Sequence, residues 1–151
     1  MSFSIGDLKF IDSFQVMSSS LEKLTESLYD EQDKFKDFHS VRQHFPNHLD
    51  LVCQKGFFPY EWLDSFEKLQ HKGLPPLKDF YSSLRKENCT EQDHQHALKV
   101  YAALQCKIFQ DYMLVYLKTD VLLLADVFMS FRKTCITYYK LDPANYLSAP
   151  P

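Results

Sequence analysis

The stretch Asp111-Tyr-Met-Leu-Val-Tyr-Leu-Lys-Thr-Asp-Val-Leu-Leu-Leu-Ala-Asp-Val-Phe-Met-Ser-Phe131 reads as a helix too apolar to face water on all sides. Side chains four residues apart stack on one helical face, so Tyr116 lies one turn from Asp120 in the middle of this stretch. Leu117, Val121, Leu124 and Phe128 around them are expected to be buried. A carboxylate in such surroundings is costly unless it is paired, protonated or bound to a metal. Asp120 therefore needs a partner. The candidates are the Thr119 hydroxyl, a helix end, an arginine or a metal ion.

Working outward, the 151 residues suit one domain, and a hydrophobic content of 45% with 15% aromatics is enough to bury a core. Only three glycines occur, which disfavours a turn-rich β-sandwich, favours helices and excludes a glycine-rich phosphate loop. A net charge of −3 removes the general attraction on which non-specific duplex binders rely, so any nucleic acid contact must be local. Cys53, Cys89, Cys106 and Cys135 are widely spaced, which favours reduced core thiols and a reducing, intracellular compartment over zinc or disulfides. Met1 to Asp7 has no basic and apolar run of the signal-peptide kind. Lys118, Asp120 and Asp126 interrupt the apolar helix, so no membrane span is expected.

Leu8-Lys-Phe-Ile-Asp-Ser13 alternates apolar and polar positions and predicts a strand. Ser19 and Glu22 have capping-box spacing ahead of an amphipathic helix striped by Leu21, Leu24 and Leu28. Charges dominate residues 29–37, which suits a solvated loop. Pro46 breaks any helix through His44 and His48, so His39, His44 and His48 read as surface histidines rather than a metal site. Short helices are expected over Leu63–Leu69 and Phe80–Arg85, and Thr90 caps a helix that carries acids in its first turn. The apolar spacing from Ala97 to about Tyr139 is too long for one ordinary helix, and a break is placed near Lys107 to Gln110. Residues 1–140 form the domain, and 141–151, rich in proline, read as a linker towards a further domain.

Lys55-Gly-Phe-Phe-Pro-Tyr-Glu-Trp62 crowds aromatics around a glycine and a proline. Such a loop either plugs the core or presents rings on which unpaired bases stack beside a cation. A Tyr-x-x-x-Asp spacing alone means little, since it recurs at Tyr29/Asp33, Tyr60/Asp64 and Tyr138/Asp142. The apolar helix around it distinguishes Tyr116/Asp120. An acid and a phenol one turn apart suit a two-metal phosphodiester-cleaving site, in which carboxylates hold the ions and tyrosine positions water.

Tyr116-Leu-Lys-Thr-Asp-Val-Leu-Leu-Leu-Ala-Asp-Val-Phe128 resembles the third exonuclease motif of family B DNA polymerases, in particular the protein-primed group. Three further stretches agree in order. Phe10-Ile-Asp-Ser13 with Ser20-Leu21-Glu-Lys-Leu24 resembles the Ser/Thr-Leu-x-x-hydrophobic primer-contact motif, and Lys55-Gly-Phe-Phe58 extended to Tyr60 resembles the Lys-x-x-hydrophobic motif. Leu141-Asp-Pro-Ala-Asn-Tyr146 resembles the passage into a polymerase domain. The likeness points to the polymerases of self-synthesising DNA transposons and related viruses.

The resemblance implies the carboxy-terminal part of an α/β, ribonuclease H-like 3′–5′ exonuclease domain, here mostly α-helical with one or two residual strands. It implies Asp120 as a metal ligand for Mg2+ or Mn2+, Tyr116 as the residue orienting water, and Ser20, Leu21, Lys55, Phe58 and Tyr60 as DNA contacts. Implied partners are a single-stranded 3′ end and a terminal priming protein, at work in the nucleus or a viral replication site. The family's Asp-x-Glu motif and its Asn-containing second motif do not occur in the 151 residues. One ligand cannot hold two ions, so the chain is expected to be inactive alone and to bind no metal stably. An incomplete domain is also expected to expose apolar surface and to self-associate. The alternative is a non-catalytic helical interaction or single-strand-binding module.

Overall fold

The computed structural model describes residues 2–83 and 88–146. One helix, α5 (Phe109–Tyr139), carries the architecture, and its 31 residues span about 46 Å at the usual helical rise. Its start is fixed by Asp111, whose carboxylate accepts the backbone N–H groups of Lys107 at 2.8 Å and Ile108 at 3.1 Å. Those bonds hold the Asp111 carboxyl below the usual carboxylate range. Lys140, at φ 59°, ends the helix in the left-handed conformation.

Four shorter helices surround it: α1 (Leu21–Glu26), α2 (His39–His44), α3 (Leu49–Val52) and α4 (Glu91–Ala103). Helices α1 and α2 lie on α5, and α3 lies on α4. Thr90 caps α4 as its sequence predicts, in a reciprocal box with Asp93. The expected break between α4 and α5 falls at 104–108, where Gln105 takes φ 55°. Pro46 separates α2 from α3, and 29–37 form an irregular charged loop.

The core has two parts, one at each half of α5. Phe109 and Tyr112 pack with Ala97, Val100 and Phe80, and Phe57, Phe58 and Trp62 close over them. Leu123 and Val127 pack with Leu28, Phe38, Val41, Val52 and Cys53. Burial pushes the Cys53 thiol up to about 12, so it sits in the core as a neutral group. All four cysteines are free.

Several elements differ from expectation. The strand at Leu8–Phe10 is half of an antiparallel hairpin with Phe3–Ile5, joined through Gly6 at φ 57°. Phe3 and Phe10 stack across it at 4.7 Å, and the mirror-like alternation on either side of Gly6-Asp7 was the available signal. Ser20, not Ser19, caps α1: its hydroxyl accepts from the Lys23 N–H, and Lys23 at the third helical position cannot return the bond. The Leu63–Leu69 helix is replaced by a 3-10 turn at Phe66–Gln70, because Ser65 stays extended ahead of it. The Phe80–Arg85 helix is absent as far as described: a 3-10 turn at Leu77–Phe80 ends at extended Tyr81, and 84–85 lie outside the described residues.

The largest correction concerns α5 itself. Leu117 is 51% exposed, Val121 67% and Leu124 38%, so the apolar residues flanking Asp120 are not core. With Leu114 they form an apolar stripe on the uncovered side of the helix. The molecule is thus mostly helical with a small two-stranded sheet. Among the described residues no helix is long and apolar enough to cross a membrane. After α5 the chain folds back: Asp142 takes Arg132 in a forked pair at 2.9 and 2.5 Å, and Pro143 is buried.

Candidate functional site

The loop at 53–62 joins α3 to the body of the molecule and crosses the first half of α5. Tyrosines satisfy its carbonyls: the Tyr29 hydroxyl donates to Cys53 at 2.7 Å, and the Tyr112 hydroxyl donates to Phe57 at 2.5 Å. These anchors press Gly56 against Tyr116. A Cβ at position 56 would stand 3.1 Å from Tyr116 Cδ2, so the glycine is what lets the phenol ring come this close.

Lys55 then reaches α5. Its Nζ donates to the Tyr116 hydroxyl at 3.0 Å and to Asp120 Oδ2, and it also lies 5.0 Å from the Tyr116 ring centre. Tyr60 closes the group from the other side with a 2.6 Å hydrogen bond to the Tyr116 hydroxyl. Phe58 packs beside both rings, at 4.9 Å from Tyr116 and 5.1 Å from Tyr60. Five residues singled out in the sequence thus meet: Lys55, Phe58, Tyr60, Tyr116 and Asp120.

The partner of Asp120 is therefore Lys55. Neither Thr119, a helix end nor an arginine is that partner, and the pair is largely covered: the Asp120 side chain is 24% exposed and that of Lys55 15%. Asp120 Oδ1 is buried and has no hydrogen-bond partner among the described residues. Burial first, then the Tyr60 bond and the Asp120 charge, push the Tyr116 phenol well above its ordinary value. Tyr116 is consequently a neutral phenol that accepts from Lys55 and shares a proton with Tyr60.

Comparison with protein-family models, with curated proteins and with solved structures gives no match.

Ser20 and Leu21 do not join this group. Ser20 spends its hydroxyl on the α1 cap, and Leu21 packs on the cluster built around Leu123 and Val127. The aromatic loop covers the core with Phe57, Phe58 and Trp62, while Tyr60 is 60% exposed. As a metal site the group is incomplete. The described residues contain no cluster of three or more His, Cys, Asp or Glu side chains placed to share an ion. One carboxylate with a lysine on one of its oxygens does not fit a divalent ion held by this chain alone.

Two residues with a clear role were not apparent from the sequence. Gly56 gives no signal beyond its type. Asp126, the third acid on α5, reads in the sequence as an interruption of an apolar run, yet it is 2% exposed and holds α2. Its carboxylate accepts the Ser40 N–H at 2.8 Å and the Val41 N–H at 3.1 Å, which caps α2 from outside its own segment.

Proposed function

We propose that this chain is part of a ribonuclease H-like 3′–5′ exonuclease domain of a protein-primed family B DNA polymerase. In this reading it supplies the third exonuclease motif and contacts to a single strand, and it has no nuclease activity of its own. The observation that carries the proposal is the meeting of Lys55, Tyr60, Tyr116 and Asp120 from two remote segments in one partly open polar group. A lysine beside exposed and half-exposed rings is suited to a phosphate and an unpaired base. Asp120 Oδ1, buried and unmatched, is the atom that would face a Mg2+ or Mn2+ ion once further carboxylates were brought to it. The 3′ end and the priming protein remain the partners, within a nuclear or viral replication setting.

Fluorescence anisotropy with a labelled oligothymidine tests the single-strand contacts. Lys55→Ala and Tyr60→Leu are each expected to weaken binding about tenfold at low salt, as loss of one stacked ring or one phosphate contact does. Binding that is absent in the wild type, or unchanged from the wild type in both variants, would overturn the reading.

A second reading is favoured by the apolar stripe Leu114, Leu117, Val121 and Leu124. It makes the chain a helical interaction module in which Lys55 and Asp120 are a structural pair. Under it, Asp120→Asn leaves oligothymidine binding unchanged and substitutions in the stripe alter association.

A further inference from the structure

Beside the Lys55–Asp120 group lies a cavity of about 70 Å3. Lys55, Phe58, Tyr60 and Tyr116 line one side, and Ser82 and Asn88 line the other. The second side belongs to a segment that no resemblance covers. It is tied to the aromatic loop, because the Ser83 N–H donates to Glu61 Oε1 at 2.5 Å. The Ser82 wall of the cavity is therefore held to the aromatic loop.

Its chemistry is mixed in a particular way. The ring side brings Phe58, Tyr60 and Tyr116 together, with Phe58 5.1 Å from Tyr60 and 4.9 Å from Tyr116. Lys55 has three N–H donors and uses two of them, on Tyr116 and Asp120, which leaves one for an anion. Asn88 brings an amide that can donate and accept at once. A free phosphate would leave the rings unused, and an aliphatic ligand would leave the amide and the ammonium unmatched. A planar heterocycle with a hydrogen-bonding edge, joined to an anion, matches all three. The space holds roughly five waters, close to one pyrimidine ring and short of the fused rings of a purine.

We infer that this cavity is a pyrimidine-nucleotide subsite. The base lies against Phe58 and Tyr60, Asn88 meets its edge, and Lys55 takes the phosphate. The inference rests on the single-strand reading for the roles of Lys55 and Tyr60, and adds to it a preference among bases set by Asn88.

The test uses the full chain and free nucleotides as competitors of labelled oligothymidine. Thymidine 5′-monophosphate is expected to compete at least five times better than adenosine 5′-monophosphate or inorganic phosphate. Asn88→Ala, at an exposed position, is expected to remove that difference while the circular dichroism spectrum stays unchanged. If oligothymidine binds through Lys55 and Tyr60 but the three competitors act alike in the wild type, the subsite is overturned and the single-strand reading stands. If phosphate competes as well as the thymidine nucleotide, the site is a bare anion site and the inference fails. If the oligothymidine does not bind at all, both fall. The wild-type comparison of competitors decides the matter even should Asn88→Ala unfold.

Discussion

Asp120 has one oxygen engaged by Lys55 and one, Oδ1, buried with no partner among the described residues. Leaving a buried acceptor unmatched costs about 1–3 kcal/mol, comparable to what one charge-assisted hydrogen bond contributes. The pair therefore stabilises the loop on α5 while carrying a standing penalty at its other atom. Stability and reactivity are separable here by a double-mutant cycle. Asp120→Asn and Lys55→Met are each expected to destabilise the fold, with a coupling energy of about 1–3 kcal/mol in urea unfolding. A coupling under about 0.5 kcal/mol would class the contact with surface ion pairs. Tyr116 takes part in the same balance, because its raised pKa keeps it a neutral hydrogen-bonding group beside the pair.

At the level of elements, α2 has only six residues and no side-chain cap of its own; the cap comes from Asp126 on α5. Tertiary contact, not local propensity, sustains such a short helix. Asp126→Ala strands two amide donors in a buried place and is expected to cost about 2–4 kcal/mol, read from urea denaturation followed by circular dichroism. A loss under about 1 kcal/mol would mean that water reaches the two amides. The sequence showed the elements whose signals are local: the Thr90 cap, the break between α4 and α5, and the halt at Pro46. It did not show α2 capped at a distance of 86 residues, since nothing near Ser40 announces Asp126. Helical periodicity located the faces of α5 but not which face would be covered. Leu117, Val121 and Leu124 look like core in composition and are exposed because no element of the described fold lies over them.

For the whole molecule, that uncovered stripe is the main departure from an ordinary water-facing surface. Together with the hairpin residues Phe3, Ile5, Leu8 and Phe10, all exposed, it gives the chain apolar surface beyond the scattered exposure of single side chains. Sedimentation velocity is expected to show concentration-dependent association, and Val121→Lys to weaken it at least tenfold while changing stability by no more than about 0.5 kcal/mol. A wild type that stays monomeric at high concentration would remove the interaction reading. The candidate site was legible as residue types, since Lys55, Tyr60, Tyr116 and Asp120 each stood out. Their meeting depended on Gly56 and on the tyrosine anchors of the loop, which act through close approach rather than through any spacing. The same loop ends in Trp62, set 4.9 Å from the Phe109 ring centre with the Lys68 ammonium 5.1 Å from its own. It is the only tryptophan in the chain. The protein thus carries its own optical probe on the segment that holds Lys55 and Tyr60, and displacement of that segment by a ligand is expected to alter its emission without any added dye.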